Sequence, residues 1–532
     1  MPTDATAEQL IRVFENLRAN RGTLESDLQD IVDLVRPAAA QFNRKSQEGE
    51  QRWQYKYDGT AIDALNEFAS GMCSYLTNPT EPWFDLEFVD YDASWDDEAL
   101  EWLQTVTALI YETYRYPFSG FQSSIHEAFL DVGSLGTCII NQEIATKPFT
   151  HINFKLIQLA QCYIEENENA MVDSVYRVRE YTLRQLISKF DKPGDFIHNA
   201  IPGGKEPAKK WPVLHCTFPR ENAQVGGIAT RKPIASVWVD MTHRVVIRES
   251  GFDHMPFHVG RWIRCGDEPY GRSPAHSCLP EIRMVNTMER TNIRAGQKMV
   301  DPPLMVPDDG FLLPLKTHPG ALMFKTPGTE NIEPLVGATS LPVVLEQTEQ
   351  KREAIRRCFH IDWLKLGKEK QEMTAFETDD RRSEKLRMLA PMLGRLQSEL
   401  LGPMIATTYQ LLAQLRRVPT PPLTISARPL RVSYVGGAAK AQMGMRAAST
   451  ARFIEDLMPM AQLKPEILDV IDEDELASEL AVSRGVSRKV LRDPRQLAEV
   501  RQQRQMAQAV AQAEPASKAL KNVADARATG AL

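Results

Sequence analysis

The sequence predicts an α+β chain, mainly helical. Three observations carry this. Apolar residues recur every three to four positions through most of residues 6–136 and again beyond residue 273. Between Thr137 and Val259 the period drops to two. Neither a βαβ alternation nor a Gly-rich phosphate loop is present, which excludes a doubly wound nucleotide-binding fold.

In order, residues 6–36 carry helical spacing (Leu10, Val13, Leu17, then Leu24, Leu28, Ile31, Val35), with Gly22 expected to break it and Pro37 to end it. Residues 59–77 form a second helix, stopped by Asn78-Pro79. An acidic, tryptophan-rich stretch from Trp83 to Trp102 reads as a strand and then a helix whose first turn is acidic, which suits the helix dipole. A metal site built from its aspartates has no recognised loop spacing. Helices continue over 97–115 and 119–132. Strands follow at Thr137–Ile144, Met171–Glu180, Ser236–Val239 and Val245–Ile247, interrupted by a short helix over Thr182–Phe190 and an exposed loop over 192–210.

Tyr270-Gly271-Arg272-Ser273-Pro274 is a helix start, with Ser273 as cap and Pro274 at the first helical position. One helix is expected over 273–300, followed by eight prolines between Pro302 and Pro342, and a returning helix from Leu341. Arg283, Arg290, Arg294 and Lys298 fall on one face of the first helix, and Glu346, Glu349 and Glu353 form an acidic stripe on the second. Three readings stay open: solvated faces with pairs inside each helix, a basic stripe meeting the acidic stripe of a neighbouring subunit, or a basic stripe facing a polyanion. Residues 361–373 form a lysine-bearing connection. A long helical pattern then starts at Thr374, with Pro391 and Gly402-Pro403 predicting a kink or two abutting helices. A strand is expected over 423–435, short helices over 437–493, and an Ala/Gln-rich tail over 494–532 that is either fraying helix or disordered.

Composition bounds the function. The 532 residues suffice for several domains, and 43% hydrophobic with 25% charged residues is a globular balance. A net charge of −7 argues against a whole-surface grip on nucleic acid. Seven scattered cysteines without a CxxC pair point to buried thiols in a reducing setting. No signal-peptide pattern opens the chain, and no apolar run approaches the ~20 residues that span a bilayer. GxxxxGK[ST], HExxH and GxSxG are absent, and Pro256 between His254 and His258 forbids the helix a zinc pair would need. This moves weight toward a structural or interaction protein. A hydrolase without a recognised motif and a different kind of structural protein are the competing classes.

Several short stretches carry a resemblance. They are Pro82-Trp83-Phe84, Gly133-Ser134-Leu135-Gly136, Gly260-Arg261-Trp262 with Glu268-Pro269-Tyr270-Gly271-Arg272-Ser273-Pro274, Leu279-Pro280-Glu281-Ile282 with Asn286, and Met373-Thr374-Ala375 leading to Leu400-Leu401-Gly402-Pro403. In this order and spacing the chain, up to about residue 490, resembles the portal (head-to-tail connector) proteins of short-tailed bacteriophages, the podoviruses. Thr374-Ala375-Phe376-Glu377 departs from the family's usual Thr-Ala-Thr-Glu.

The resemblance implies a portal architecture assembled as a ring of twelve. The wing takes residues 1–272 (helical over 1–136, strand-rich over 137–272) and 374–436, the stem 273–300 and 343–360, the clip 301–342, the channel loop 361–373, and the crown 437–493 with the tail beyond. It implies double-stranded DNA passing without sequence readout, with Lys365, Lys368 and Lys370 of the channel loop as candidate contacts. Clip contacts to terminase and the tail adaptor fall on Asp308, Asp309, Phe311, Lys316 and Lys325. Further implied partners are the terminase large subunit, scaffolding and major capsid proteins and internal core or ejection proteins. The expected location is the capsid vertex of a virion assembled in host cytoplasm. No enzyme activity, cofactor, metal or membrane is implied.

Overall fold

The structure is a computed structural model that describes residues 7–39, 41–43, 49–50, 56–89, 97–147, 149–190, 210–220, 228–300, 341–364, 390–422 and 430–434, with 304–305, 328, 333–334, 388, 476 and 501 as isolated positions. By its contacts the chain divides into Met1–Gly436 and Gly437–Leu532. Almost all described residues lie in the first unit. The expected crown and tail, apart from residues 476 and 501, and the 192–210 loop apart from its last residue, lie outside the described residues.

The first unit begins with α1 (Ala7–Leu34), which runs straight through Gly22. The expected break there does not occur. A glycine costs about 1 kcal/mol in a helix, and burial on both sides of it offsets that. Leu24 and Leu28 enter the core, while the Arg21 guanidinium, 2% exposed, donates to the carbonyls of Leu159 (3.0 Å) and Cys162 (2.6 Å) and lies 3.8 Å from the Tyr163 ring. Then follow α2 (Thr60–Leu76), β1 (Phe84–Phe88), α3 (Asp97–Arg115) and α4 (Phe121–Leu135). The strand-then-helix reading of the acidic stretch holds. Trp83 packs among Phe84, Tyr111, Tyr114 and Phe121.

Two antiparallel sheets follow. β2 (Thr137–Ala145) lies between β3 (His151–Ile157) and β9 (Phe257–Arg261), and its first six residues are buried, as expected of a strand covered on both faces. The second sheet is a meander of β4 (Cys162–Glu166), β5 (Val172–Thr182), β6 (Lys210–Pro219), β7 (Ile234–Asp240) and β8 (Val245–Phe252). The first turns of α1 bury Leu10, Ile11 and Phe14 with Tyr163, Tyr176 and Leu214 of this sheet. α5 (Leu183–Lys189), with Phe190 after it, buries Leu186 and Phe190 with Tyr181, Trp211 and Val213. Thr182 caps α5 in a capping box with Gln185.

Beyond the short pair β10 (Ile263–Arg264) and β11 (Gly271–Arg272) come α6 (Pro274–Ser277) and α7 (Leu279–Val300). The single helix expected over 273–300 is thus two. Cys278 leaves the helical region at φ −108°, ψ 16°, and Pro280 has no N–H with which to continue the ladder into α6. Residues 304–305 (β12) pair with 333–334 (β13), and α8 spans Leu341–Cys358. The connection expected from 361 begins with a helical turn, α9 (Ile361–Leu364).

The long C-terminal helix resolves its proline with a π turn over Gln397–Leu401 ahead of α10 (Gly402–Gln414). The Gly402 N–H reaches back to the Gln397 carbonyl, and so does the Tyr434 hydroxyl at 2.8 Å. The turn aims Glu399 at Arg261, whose guanidinium joins β9 to Glu399 (2.9 Å), to Glu166 and to the Ala170 carbonyl (2.9 Å). The strand expected over 423–435 is β14 (Leu430–Tyr434), paired antiparallel with β1. Residues 423–429 lie outside the described residues.

The main core closes where two glycines touch. Gly136 caps α4 at φ +79°, and a Cβ there would stand 2.3 Å from the Gly271 carbonyl oxygen; a Cβ on Gly271 would stand equally close to the Gly136 oxygen. Around this contact the Trp262 N–H donates to Gly136 O (3.0 Å), the Gly271 N–H to Thr137 Oγ1 (2.8 Å) and the Ser273 hydroxyl to Ser134 O (2.6 Å). Gly136→Ala should lower stability by about 3 kcal/mol or more, because strain and overlap act together. Gly22→Ala, with open space around it, should stabilise by about 0.5–1 kcal/mol. Denaturant midpoints of the two variants against the parent check this, and a neutral Gly136→Ala would contradict the packing described.

Candidate functional site, a helical hairpin

The sequence stretch with the strongest functional signal folds into a hairpin of α7 and α8 rooted in the core at one end. Its start is fixed by Ser273. The Ser273 Oγ accepts from the His276 N–H (3.1 Å), and the Ser273 N–H donates to His276 Nδ1 (3.2 Å). Burial, with Arg272 close by, pushes the His276 imidazole down to about 4, so the ring stays the neutral acceptor this box needs. Leu279, Ile282 and Val285 of α7 are buried, as are Ile355 of α8 and Phe359 just after it. Farther out on α7, Ile293 (45% exposed), Met299 (51%) and Val300 (88%) lie open, with Leu345 (49%) on α8.

Charges tie the root. Arg352 of α8 reaches Asp58 ahead of α2 (2.8 Å), Glu289 of α7 (2.5 Å) and Glu349 of its own helix (3.3 Å). Asn286 Oδ1 accepts the Tyr57 N–H at 2.7 Å. Arg283 pairs with Asp30 and lies 3.6 Å from Asp27, both on α1.

The expected basic stripe is therefore divided. Arg283 is held by α1, and Arg290 lies 5.8 Å from the Tyr57 ring. Arg294 and Lys298 are exposed, with no carboxylate within 4 Å among the described residues. In the acidic stripe Glu349 pairs with Arg352 and Arg356, and Glu353 with Arg357. Those are the intrahelical pairs named as one of three readings. Glu346 is exposed. Lys365, Lys368 and Lys370, and likewise Asp308, Asp309, Phe311, Lys316 and Lys325, lie outside the described residues. Sequence reasoning singled out neither Arg352 nor Asp58 as the tie. Their separation of 294 positions leaves no local pattern to read.

No group of three or more metal-ligating side chains occurs among the described residues. His258 does not approach a zinc pair with His254. It lies buried against the Gln142 amide (2.9 Å), which also meets Thr408 Oγ1 (2.8 Å), and burial pushes the imidazole down to about 3. Arg352→Ala should loosen the root, lowering the local opening free energy of α8 by about 1–3 kcal/mol. Hydrogen exchange of residues 344–357 measures it. Unchanged protection there would show that apolar packing alone holds the hairpin.

Comparison with known proteins adds a global match. A family described as bacteriophage head to tail connecting protein matches residues 7–491. The portal protein of Salmonella phage epsilon15 is 26% identical over 542 aligned residues, covering 97% of this chain and 95% of that protein. A probable portal protein of Bordetella phage BPP-1 is 28% identical over 518, covering 94% and 92%.

Proposed function

We propose a portal role for this chain, which belongs to the family of bacteriophage head to tail connecting proteins: twelve copies close into a ring at one capsid vertex, through which double-stranded DNA enters and leaves. The observation that carries the reading is the hairpin of α7 and α8. It is rooted at one end, while Ile293, Met299, Val300 and Leu345 are left bare on the rest of it. Such apolar side chains on a projecting element call for a partner, and a ring supplies one by placing a second hairpin beside the first. A closed ring needs a heterologous contact, one face against a different face. Arg294 and Lys298 of one copy facing Glu346 of the next fit that need. α7 alone is about 33 Å long at ~1.5 Å per residue, enough to wall a duplex when repeated.

In this reading the segment between the stem helices, residues 301–342, docks the terminase large subunit during filling and the tail adaptor afterwards. Scaffolding, major capsid and internal core proteins meet other faces. ATP hydrolysis belongs to the terminase, since the chain has no phosphate loop. A net charge of −7 suits a conduit, because a strongly basic bore would hold DNA by counterion release. Lys365, Lys368 and Lys370 supply weak, local phosphate contacts.

Electron microscopy of the purified chain tests the ring. The expected image has rotational symmetry and a central hole of at least ~20 Å, wide enough for a B-form duplex. A compact monomer at every concentration would sink the proposal. Changing Lys365, Lys368 and Lys370 together to Ala should leave rings intact and reduce retained DNA per virion. Virions that package and hold DNA as the parent does would remove the lysines from the channel.

A further inference from the structure

The five-stranded sheet carries two sets of charges of opposite sign, at opposite ends of β5. At one end, Arg177 and Arg179 share a face with Tyr181, being two residues apart along the strand. β4 starts at Cys162, opposite Arg177, so β5 beyond that point has no β4 neighbour. Lys155 of β3 and Lys189 of α5 complete the group. Lys189 Nζ donates to Tyr181 Oη (3.2 Å) and stands 3.8 Å from the Trp238 ring, while the Arg179 guanidinium stands 4.9 Å from the Tyr181 ring. Arg177 Nε is buried without a hydrogen-bond partner. None of the four cations has a carboxylate within 4 Å among the described residues, in contrast to Arg21, Arg36, Arg220, Arg261 and Arg352. Partial burial first, and then Arg179 and Arg177, hold the Lys155 ammonium below its ordinary range, with Glu143 the nearby carboxylate acting the other way.

The other end of β5 is the β4–β5 hairpin, and it is acidic. Glu165, Glu168 and Asp173 have no cation within 4 Å among the described residues. Partial burial and then Asp173 hold the Glu165 carboxyl above its ordinary range. The tip is rigid. Asn167 Oδ1 accepts the N–H groups of Asn169 (2.9 Å) and Met171 (3.0 Å), and Arg261 clamps the Ala170 carbonyl. A preorganised tip gives up little freedom on docking.

We propose that the acidic β4–β5 tip of one copy docks against the Lys155, Arg177, Arg179 and Lys189 cluster of the next copy. The contact rests on the ring reading above and adds a second, electrostatic belt away from the helical hairpin. It is heterologous, so it propagates head to tail and closes with the ring. A half-buried Arg177 whose Nε has no hydrogen-bond partner suits a protruding carboxylate better than the smooth backbone of a duplex. Complementary charge at such a contact selects the partner face and its register.

The test uses two full-length variants. One carries Lys155→Glu with Arg179→Glu, the other Glu165→Lys with Glu168→Lys. Sedimentation at low salt should show each alone assembling on the order of tenfold more weakly than the parent. An equimolar mixture should recover assembly, because alternating copies restore every pairing. Variants that assemble like the parent, or a mixture no better than its components, would overturn the contact and leave the ring standing. A parent that stays monomeric overturns both. If a reversed variant does not fold, Arg179→Gln and Glu168→Gln replace the reversals. Each should flatten the salt dependence of assembly, and a parent-like salt dependence overturns the contact.

Discussion

Where the hairpin stands is decided by one steric constraint, the contact between Gly136 and Gly271. Neither position has room for a Cβ. That contact seats the start of α6 on the end of α4, and the bonds from Trp262, Gly271 and Ser273 fix its orientation. Because β2 begins one residue after Gly136, the same contact also sets the register of β2 against β9, in which Thr137 faces Arg261. The three-stranded sheet, α4 and the root of the hairpin are thus one joint. A change at its centre is felt in all three.

Arginines make the remaining joints. Arg21 ties α1 to the start of β4, Arg261 ties β9 to the π turn and to the β4–β5 hairpin, and Arg352 ties α8 to α7 and to the approach to α2. A planar guanidinium suits this work because it can serve several acceptors at once from a fixed fork. Stripping one partner from a fully buried guanidinium such as Arg21 or Arg261 costs about 3–5 kcal/mol, while the intact pair adds little over an apolar replacement. These residues therefore specify how the pieces fit more than they hold the fold up. The pairs on the solvent side of α8, such as Arg357 with Glu353, contribute tenths of a kcal/mol at most.

Much of this was legible in the sequence wherever local chemistry decides. The cap at Ser273, the short helix after Thr182, the stops before Pro37 and Pro79, and the change of period at Thr137 all appear where the residues indicate. The stretches that marked the family, Gly133–Gly136, Gly260–Trp262 and Tyr270–Pro274, turn out to be pieces of one joint. Their meeting could not be read from the chain, since the contact spans more than a hundred positions. Gly22 misled because propensity is local and burial around it is not. The continuous helix over 273–300 failed at Pro280, which was visible but lay inside an otherwise good apolar pattern. Of the seven charges in the stripes on α7 and α8, Arg283, Arg290, Glu349 and Glu353 meet partners within the chain. A pattern of charges gives the face they share, not the distance to a partner.

The split at Cys278 and the root at Arg352 together make α7 a beam clamped at one end. Its first two turns bury side chains in the core, Asn286, Glu289 and Arg290 carry the root's remaining ties, and roughly 10 residues, about 15 Å, lie beyond. The deflection of a clamped beam rises with the cube of its free length, so bending stiffness at the tip cannot come from the clamp. In the ring proposed above, lateral bracing by neighbouring hairpins supplies it. A wall made this way is compliant as a single stave and rigid as a barrel.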